Sequence, residues 1–356
     1  MNQYNYNNLK IALQSKFGWN KARLKFITRL IISLLDVATV NLSRLSLKIN
    51  SKTKSQSNYR NLQRFFQNFQ MDYDEYARFV VSQLKKDEQY YLVIDRTNWK
   101  FGKTNINILM LGIIYKKNAI PLYWEMLEKG GSSSTKERKD LLAKAITLLG
   151  KDRIKALLGD REFIGVKWFK YLIEQEIEFH IRVPKIIKKG SVLQKGRKTI
   201  NHLFRFLKLY GKLDYPREVN ILGFRLFVSG MRSKNDDYCV IVSSKSNLDS
   251  LTKYQQRWTI ENLFGAFKTR GFNFEDTHFK NLEKIKMLIV FISIAYLWSI
   301  LVGLWLDAVI SIKIKTHGRK AISVFRYGFD YLTYIIKNIL DKFDEFNILA
   351  KILSCT

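Results

Sequence analysis

The chain has 356 residues, with 61 Lys or Arg against 31 Asp or Glu, so its formal charge at pH 7 is +30. Apolar residues at 47% and aromatic residues at 14% exclude a disordered chain, because they can bury a large core, and the length favours two or three domains. Two cysteines and four histidines argue against a disulfide framework and against a His/Cys zinc site. The excess of positive charge favours a polyanionic partner. Nucleic acid is the first candidate, and an anionic membrane surface is the second.

The first 71 residues combine a basic composition with helical periodicity. They contain one acid, Asp36, and twelve cations, which are Lys10, Lys16, Lys21, Arg23, Lys25, Arg29, Arg44, Lys48, Lys52, Lys54, Arg60 and Arg64. Apolar residues recur at helical spacing on both sides of residues 50–57. The spacing predicts a basic helical domain over residues 1–86 with a break at 50–57, although an ordinary solvated helical surface has the same pattern.

Strand and helix patterns alternate over residues 87–183. Five short apolar runs predict strands, at 90–95, 106–115, 119–127, 154–159 and 179–183. Ser134 is followed three residues later by Glu137, which predicts a capping box at the start of a helix that ends near residue 149. A second helix is expected over 165–175. This order of elements predicts a mixed sheet flanked by helices.

Residues 184–246 interrupt this pattern with a basic, β-rich stretch. One acid, Asp214, and ten cations lie between residues 184 and 217, and the cations are Lys185, Lys188, Lys189, Lys195, Arg197, Lys198, Arg205, Lys208, Lys212 and Arg217. The apolar runs 219–229 and 238–244 predict two strands. We therefore expect a β-rich insertion that forms a subdomain of its own.

Helical periodicity returns at residue 247 and continues to the end of the chain. The spacing predicts one helix over 247–270 and further helices from residue 281 onward, in a core segment 247–310 and a helical tail 311–356. Residues 287–306 contain no charge and are long enough to span a membrane. Because a helix that is apolar on all sides can also be buried in a protein core, we favour the buried interpretation over a membrane span.

Two aspartates come directly after predicted strands. Asp95 follows the run that begins at Tyr90, and Asp160 follows the run that begins at Ile154. Open α/β sheets place their active sites at the carboxyl ends of strands, so the two carboxylates are candidates for an active site. Many such residues only cap loops, and this structural role is an equal alternative.

Four residues of the predicted helix 247–270 share one stripe. Tyr254, Arg257, Glu261 and Lys268 are separated by 3, 4 and 7 residues, which places them on the same helix face. An exposed face with an Arg257–Glu261 pair is the simplest explanation, but it leaves the aromatic residue in the stripe unexplained. Trp258 lies one residue off the stripe, and we expect it to be a core residue rather than a platform on which a base stacks.

Together these motifs resemble the bacterial cut-and-paste DDE transposases of the insertion-sequence-four group. The resemblance rests on the Tyr-x2-Arg-x3-Glu-x6-Lys pattern from Tyr254 to Lys268, accompanied by the two strand-end aspartates, and it covers residues 60–300. It implies an α/β fold with a ribonuclease-H-like catalytic core, in which the β-rich insertion separates Asp160 from the helix that carries Glu261.

The resemblance also implies the roles of the site residues. Asp95, Asp160 and Glu261 would be the catalytic acids and the ligands of Mg²⁺, with Mn²⁺ able to substitute. Hard divalent ions prefer carboxylate oxygens, which agrees with the scarcity of His and Cys. Tyr254, Arg257, Lys268 and Trp258 would contact DNA. Arg257 and Lys268 would bind phosphates, Tyr254 would bond to a phosphate or stack on a base, and Trp258 would stack on a base.

The implied function is that of a DNA transposase. Its partners would be double-stranded DNA, both the terminal inverted repeats of a transposon and the target, with residues 1–86 binding the ends. The family implies a homodimer in the synaptic complex, a cytoplasmic and nucleoid-associated location, and no membrane. A related nuclease without strand transfer, a catalytically silent DNA-binding derivative and a membrane-associated basic protein are the alternatives.

Overall fold

The computed structural model describes residues 6–184, 200–234, 238–246, 248–316 and 318–354. They form two compact units, each assembled from separate parts of the chain. The first unit comprises residues 1–85, 99–106 and 263–356, and the second comprises residues 86–98 and 107–262. Six of the ten cations predicted in the insertion, from Lys185 to Lys198, lie outside the described residues.

The described part of the chain contains twelve α-helices and nine β-strands. The helices are α1 Asn7–Gln14, α2 Lys21–Val37, α3 Leu42–Ser46, α4 Ser55–Asn68, α5 Tyr73–Ser82, α6 Thr135–Leu149, α7 Val166–Glu174, α8 Ser250–Gln255, α9 Trp258–Lys268, α10 Leu282–Val309, α11 Val324–Lys337 and α12 Phe343–Ile352. The strands are β1 Tyr90–Phe101, β2 Thr104–Tyr115, β3 Asn118–Met126, β4 Ile154–Gly159, β5 Phe179–Val183, β6 Lys212–Asp214, β7 Val219–Ile221, β8 Phe224–Arg232 and β9 Tyr238–Ser243.

The first unit is a helical assembly built around α10. This helix is long and apolar enough to span a membrane, and 89% of its most apolar stretch is buried within the protein. It packs against α2 and α4 from the N-terminal region and against α11 and α12 from the C-terminal region. The prediction that residues 287–306 form a buried helix is therefore confirmed. The expected basic N-terminal helices are present as well, but they share a core with the C-terminal helices.

Helices α10 and α11 approach each other closely at two glycines. A Cβ atom on Gly303 would overlap the carbonyl oxygen of Val324, and a Cβ atom on Gly328 would overlap the carbonyl oxygen of Ser299. The two backbones are therefore in contact, which only glycine permits.

The second unit is built on a mixed sheet with the strand order β3-β2-β1-β4-β5-β9-β8-β6, to which β7 adds by pairing with β8. Strands β1, β4 and β5 are parallel neighbours, whereas β2 and β3 are antiparallel. This is the ribonuclease-H-like arrangement that the resemblance implied, so the expected fold class is confirmed. The capping box of α6 is also confirmed, with Ser134 and Glu137 each bonded to the other's backbone.

The strands of the insertion extend the core sheet. Strand β9 pairs antiparallel with β5, and β8 pairs with β9, so these strands form no separate sheet of their own. The predicted single strand over 219–229 is two strands instead. Leu222 and Gly223 between them both have positive φ, at 55° and 87°, which is the two-residue hairpin turn that suits the twist of antiparallel strands.

The helical regions also differ from the sequence prediction. The helix expected over 247–270 is divided into α8 and α9 by a turn at Gln256 and Arg257. Residues 311–316 and 318–323 of the expected helical tail form no helix, and Ile314 and Lys320 in these segments form an isolated β-bridge. The division of the chain into five parts that the sequence suggested stays a prediction.

Gly328→Ala is expected to destabilise the protein. Within an exposed helix, Ala stabilises relative to Gly by up to about 1 kcal/mol, but here the added Cβ would force α10 and α11 apart at a cost of about 1–3 kcal/mol. Urea unfolding of the full chain measures the difference. Gly18→Ala is the control, because the nearest atom to its Cβ would be Glu75 Oε1 at 3.4 Å. Equal stability of the two variants would show that the helix contact does not require glycine.

Candidate catalytic site

The sheet register brings Asp95 and Asp160 side by side. In the parallel pair of β1 and β4, Ile94 lies opposite Gly159. Asp95 and Asp160 are the next residues on the two strands, so their backbones are neighbours at roughly the 4.8 Å spacing of adjacent strands. Both side chains are partly buried. Asp160 directly follows β4, as predicted. The prediction that Asp95 directly follows its strand is wrong, because β1 continues to Phe101.

Asp95 lies in an environment that disfavours its charge. Its side chain is 14% exposed, and burial raises the pKa of Asp95 to about 7. The carboxylates of Asp160 and Glu261 contribute to this rise, while the backbone N–H of Arg96 and the guanidinium of Arg257 act to lower the pKa. Burial is therefore the main reason that the charged form of Asp95 is disfavoured.

Arg257 connects two of the three predicted acids. Its Nη1 lies 3.1 Å from Asp95 Oδ2, and its Nη2 donates a hydrogen bond to Glu261 Oε1. The Arg257 side chain is 9% exposed and that of Glu261 is 52% exposed. The pair predicted on a solvent-exposed helix face thus exists, but the arginine is buried and also contacts the acid on β1.

The turn between α8 and α9 places Arg257 in this position. The N–H groups of Thr259 and Ile260 donate to the carbonyl oxygens of Gln256 and Arg257, three residues earlier, which is the tighter pattern of a 3₁₀ turn. Tyr254 packs beneath it, with its ring 5.7 Å from the Arg257 guanidinium carbon.

Tyr254 is a core residue in the structure. It is 5% exposed and packs with Ile241 and Leu251. Burial raises the pKa of Tyr254 to about 12, so its hydroxyl is neutral at ordinary pH. This burial favours a supporting role beneath Arg257 over the phosphate or base contact expected from the sequence.

Trp258 and Lys268, the other two predicted DNA-binding residues, lie at opposite ends of α9. Trp258 at the start of α9 is 59% exposed, so the expectation that it is a core residue is wrong. Lys268 at the end of α9 belongs to the first unit, where its Nζ lies 2.8 Å from Glu275 Oε1 and 5.3 Å from the centre of the Trp99 ring. The DNA contacts of both residues stay predictions.

A second polar network adjoins the two aspartates, and the sequence analysis missed it. The Nε of Arg96 donates to both carboxylate oxygens of Glu162, at 3.1 and 2.9 Å. Arg96 directly follows Asp95. The backbone N–H of Glu162 donates to Asp160 Oδ1 at 2.8 Å. The ion pair therefore joins the segments that carry the two aspartates.

This network continues into the loop before α6. Glu162 Oε1 also accepts hydrogen bonds from the N–H and the hydroxyl of Ser133, at 3.0 and 3.1 Å. Arg96 Nη1 donates to Asn107 Oδ1 at 3.0 Å. Arg138 Nε donates to Ser133 Oγ at 2.8 Å. The charged pair is thus satisfied on several sides, as a partly buried ion pair requires. The only sign of this network in the sequence is that Glu162 lies two residues after Asp160, and local spacing does not indicate that its partner is Arg96.

The three acids suit a hard divalent ion in donor type and in charge. Carboxylate oxygens are the ligands that Mg²⁺ prefers, and a bound cation would favour the charged form of Asp95, which burial disfavours. No group of three His, Cys, Asp or Glu side chains within the described ranges is arranged to hold a metal ion as it stands. The Arg257 guanidinium instead provides positive charge between Asp95 and Glu261.

Comparison with known proteins identifies the family of this chain. The transposase DDE domain family matches residues 86–298. No curated protein sequence matches the chain. Among solved structures, a piggyBac transposase synaptic complex with hairpin DNA is similar, with 12% sequence identity and a TM-score of 0.48, over 97% of this chain and 81% of that one.

Asp95→Asn is expected to stabilise the protein in the absence of divalent ions, and more so at high pH. Because folding raises the pKa of Asp95 from 3.8 to about 7, the folded protein binds this proton more tightly than the unfolded chain. The contribution of Asp95 to stability therefore falls as the pH rises between these two values. Melting in EDTA should show a gain at about pH 8.5 of roughly 2–4 °C for each kcal/mol recovered, and little gain at about pH 5. Asp152→Asn, at an exposed acid, is the control and should show no such trend.

Arg96 and Glu162 are expected to be energetically coupled. Urea unfolding of Arg96→Ala, Glu162→Ala and the double variant should give a coupling energy of about 0.5–3 kcal/mol, because each single change leaves a half-buried charge without its partner. The exposed pair Lys136 and Asp140, whose side chains are 87% and 58% exposed, provides the matched control cycle. Coupling no larger in the first cycle than in the second would contradict a structural role for the ion pair.

Proposed function

The chain belongs to the transposase DDE domain family, and from this premise we propose that it cuts DNA at transposon ends and joins the cut ends to target DNA. The single observation that carries this proposal is the grouping of Asp160, Glu261 and Arg257 around the buried carboxylate of Asp95. The sequence motifs further favour membership of the insertion-sequence-four group.

We propose that Asp95, Asp160 and Glu261 hold Mg²⁺, with Mn²⁺ able to replace it. When bound, divalent ions activate the attacking oxygen and stabilise charge on the leaving oxygen of a phosphodiester. The protein itself holds the three carboxylates in position. The sheet register fixes Asp95 beside Asp160, and Arg257 fixes the orientation of Asp95 and Glu261 through one hydrogen bond to each.

We propose that Arg257 also binds a phosphate of the DNA. Burial alone would lower its pKa, but the proximity of Tyr254, Asp95 and Glu261 outweighs burial and raises the pKa, so the guanidinium stays charged. Its Nε atom is buried and makes no hydrogen bond with any described residue. A guanidinium that stays charged is suited to binding a phosphate oxygen, because hydrogen bonds between charged partners are stronger than those between neutral ones.

We propose that DNA is bound by several basic regions and by one aromatic residue. The net charge of +30 supports a nucleic-acid partner, since Lys and Arg contacts with phosphates provide most of the affinity for DNA. The helices of residues 1–86 would bind the transposon ends. The exposed Trp258, next to Arg257, would offer a ring on which an extruded base can stack, which contributes about 1–3 kcal/mol for each base. Two copies of the chain would hold paired ends in the bacterial cytoplasm.

Asp160→Asn and Glu261→Gln are expected to abolish strand cleavage and to leave DNA binding unchanged, because phosphate contacts from Lys and Arg dominate the affinity. The assay uses the full chain, Mg²⁺ and duplexes from the sequences that flank its gene, with products separated on a denaturing gel. Glu174→Gln is the matched control, since that side chain is 54% exposed and lies on α7. Cleavage by Glu261→Gln at the wild-type rate would contradict the assignment of this acid.

The same gel separates the proposed function from its nearest alternatives. A transposase yields both cut ends and products joined to target DNA. Cut ends without joined products would indicate a nuclease, and binding without any cut product would indicate a silent DNA-binding derivative.

A further inference from the structure

Helix α4 presents an unusual polar face. Its sequence contains no acidic residue. Gln56, Arg60, Gln63, Arg64 and Gln67 are all exposed, and their spacing of 4, 7, 8 and 11 residues from the first places them along one stripe. A solvated helix face ordinarily mixes acids with cations. This stripe contains only amides and guanidinium groups.

These side chains are not engaged elsewhere in the protein. None of the five forms a hydrogen bond or an ion pair with another residue in the part of the chain that the structure describes. Their donors and acceptors are therefore available to a ligand.

The opposite face of α4 holds the helix firmly in place. Phe65 and Phe66 are buried and their ring centres lie 5.5 and 6.0 Å from that of Phe291 on α10. Asn58, which is 3% exposed, donates to the carbonyl oxygens of Ser46 and Asn50 at 2.9 and 2.7 Å. The stripe is thus displayed on a rigid element, which lowers the entropy cost of binding.

A groove runs beside this stripe within the first unit. It has a volume of about 550 Å³. The residues that line it include Gln63, Arg64 and Gln67 of α4 together with Lys280 and Lys284. No acidic residue lines the groove among the residues described. The groove therefore combines positive charge with hydrogen-bonding amides.

We propose that α4 enters the major groove of duplex DNA, where Gln63, Arg64 and Gln67 contact base edges while Lys280 and Lys284 contact flanking phosphates. The major groove is about 12 Å wide, which accommodates a helix of about 10–12 Å diameter. Arginine pairs with guanine and glutamine with adenine through two hydrogen bonds each, so this side-chain set is suited to reading sequence. The inference rests on the proposed function, because it identifies how the transposase would recognise its ends.

The test is a selection from a pool of short duplexes of random sequence, with the full chain in EDTA so that cleavage cannot interfere. Four proteins are compared: the wild type, Gln63→Ala/Arg64→Ala, Lys280→Ala/Lys284→Ala, and the control Gln14→Ala/Lys351→Ala. The α4 variant and the control each lose one amide and one cation from exposed helix faces. Circular dichroism confirms that all three variants fold.

We expect the wild type and the control to enrich the same sequence motif. The α4 variant should lose discrimination at the base pairs that it no longer contacts, by about 5- to 150-fold for each contact, and should keep its affinity for random duplexes apart from the one lost charge. Lys280→Ala/Lys284→Ala should weaken binding to all sequences equally and lower the slope of log affinity against log salt by roughly 1.8.

The inference would be overturned if the wild type, the control and the α4 variant all enriched one motif and discriminated equally among base pairs. Binding of all duplexes by the wild type without any motif would also overturn it, while the cleavage assay with flanking DNA decides the proposed function separately. Failure of the wild type to bind any duplex would overturn both.

Discussion

The candidate site depends on keeping three carboxylates close together without an equal number of cations. Burial, together with the nearby carboxylates of Asp160 and Glu261, raises the pKa of Asp95 to about 7, so its charged form destabilises the folded chain. Arg257 offsets part of this destabilisation by bonding to Asp95 and Glu261. The turn that interrupts the helix and the buried Tyr254 ring beneath the guanidinium both serve to hold that one side chain in position.

A second constraint acts on the backbone behind the acids. The register of β1 and β4 places Asp95 and Asp160 at the same level along the two strands. The ion pair between Arg96 and Glu162 connects the residues that follow these two aspartates. Two independent devices thus restrain the same pair of aspartates. Rigid support of this kind is what reacting groups require, because small displacements of a catalytic group are costly in rate.

The sequence predicted those features that depend on local patterns. Apolar runs predicted the core strands, and the spacing of Ser134 and Glu137 predicted the capping box. Local periodicity could not reveal that β9 pairs with β5, because that pairing joins distant segments. Nor could it detect the turn at Arg257, since a 3₁₀ turn shifts the helical stripe only slightly, so the pattern from Tyr254 to Glu261 persists through the interruption. Because the turn is not visible in the pattern, the sequence also did not predict that Trp258, directly after the turn, is exposed.

The composition of the first unit has a consequence for how the protein is made. Residues 1–85 share a core with residues 263–356, so α2 and α4 have no α10 to pack against when they leave the ribosome. At about 5–20 residues per second, the delay before the last helices are synthesised is roughly 15–50 s. During that interval the apolar faces of the N-terminal helices are open to water. Nascent chains of this protein are therefore expected to need holdase chaperones, and their yield should depend on the supply of those chaperones.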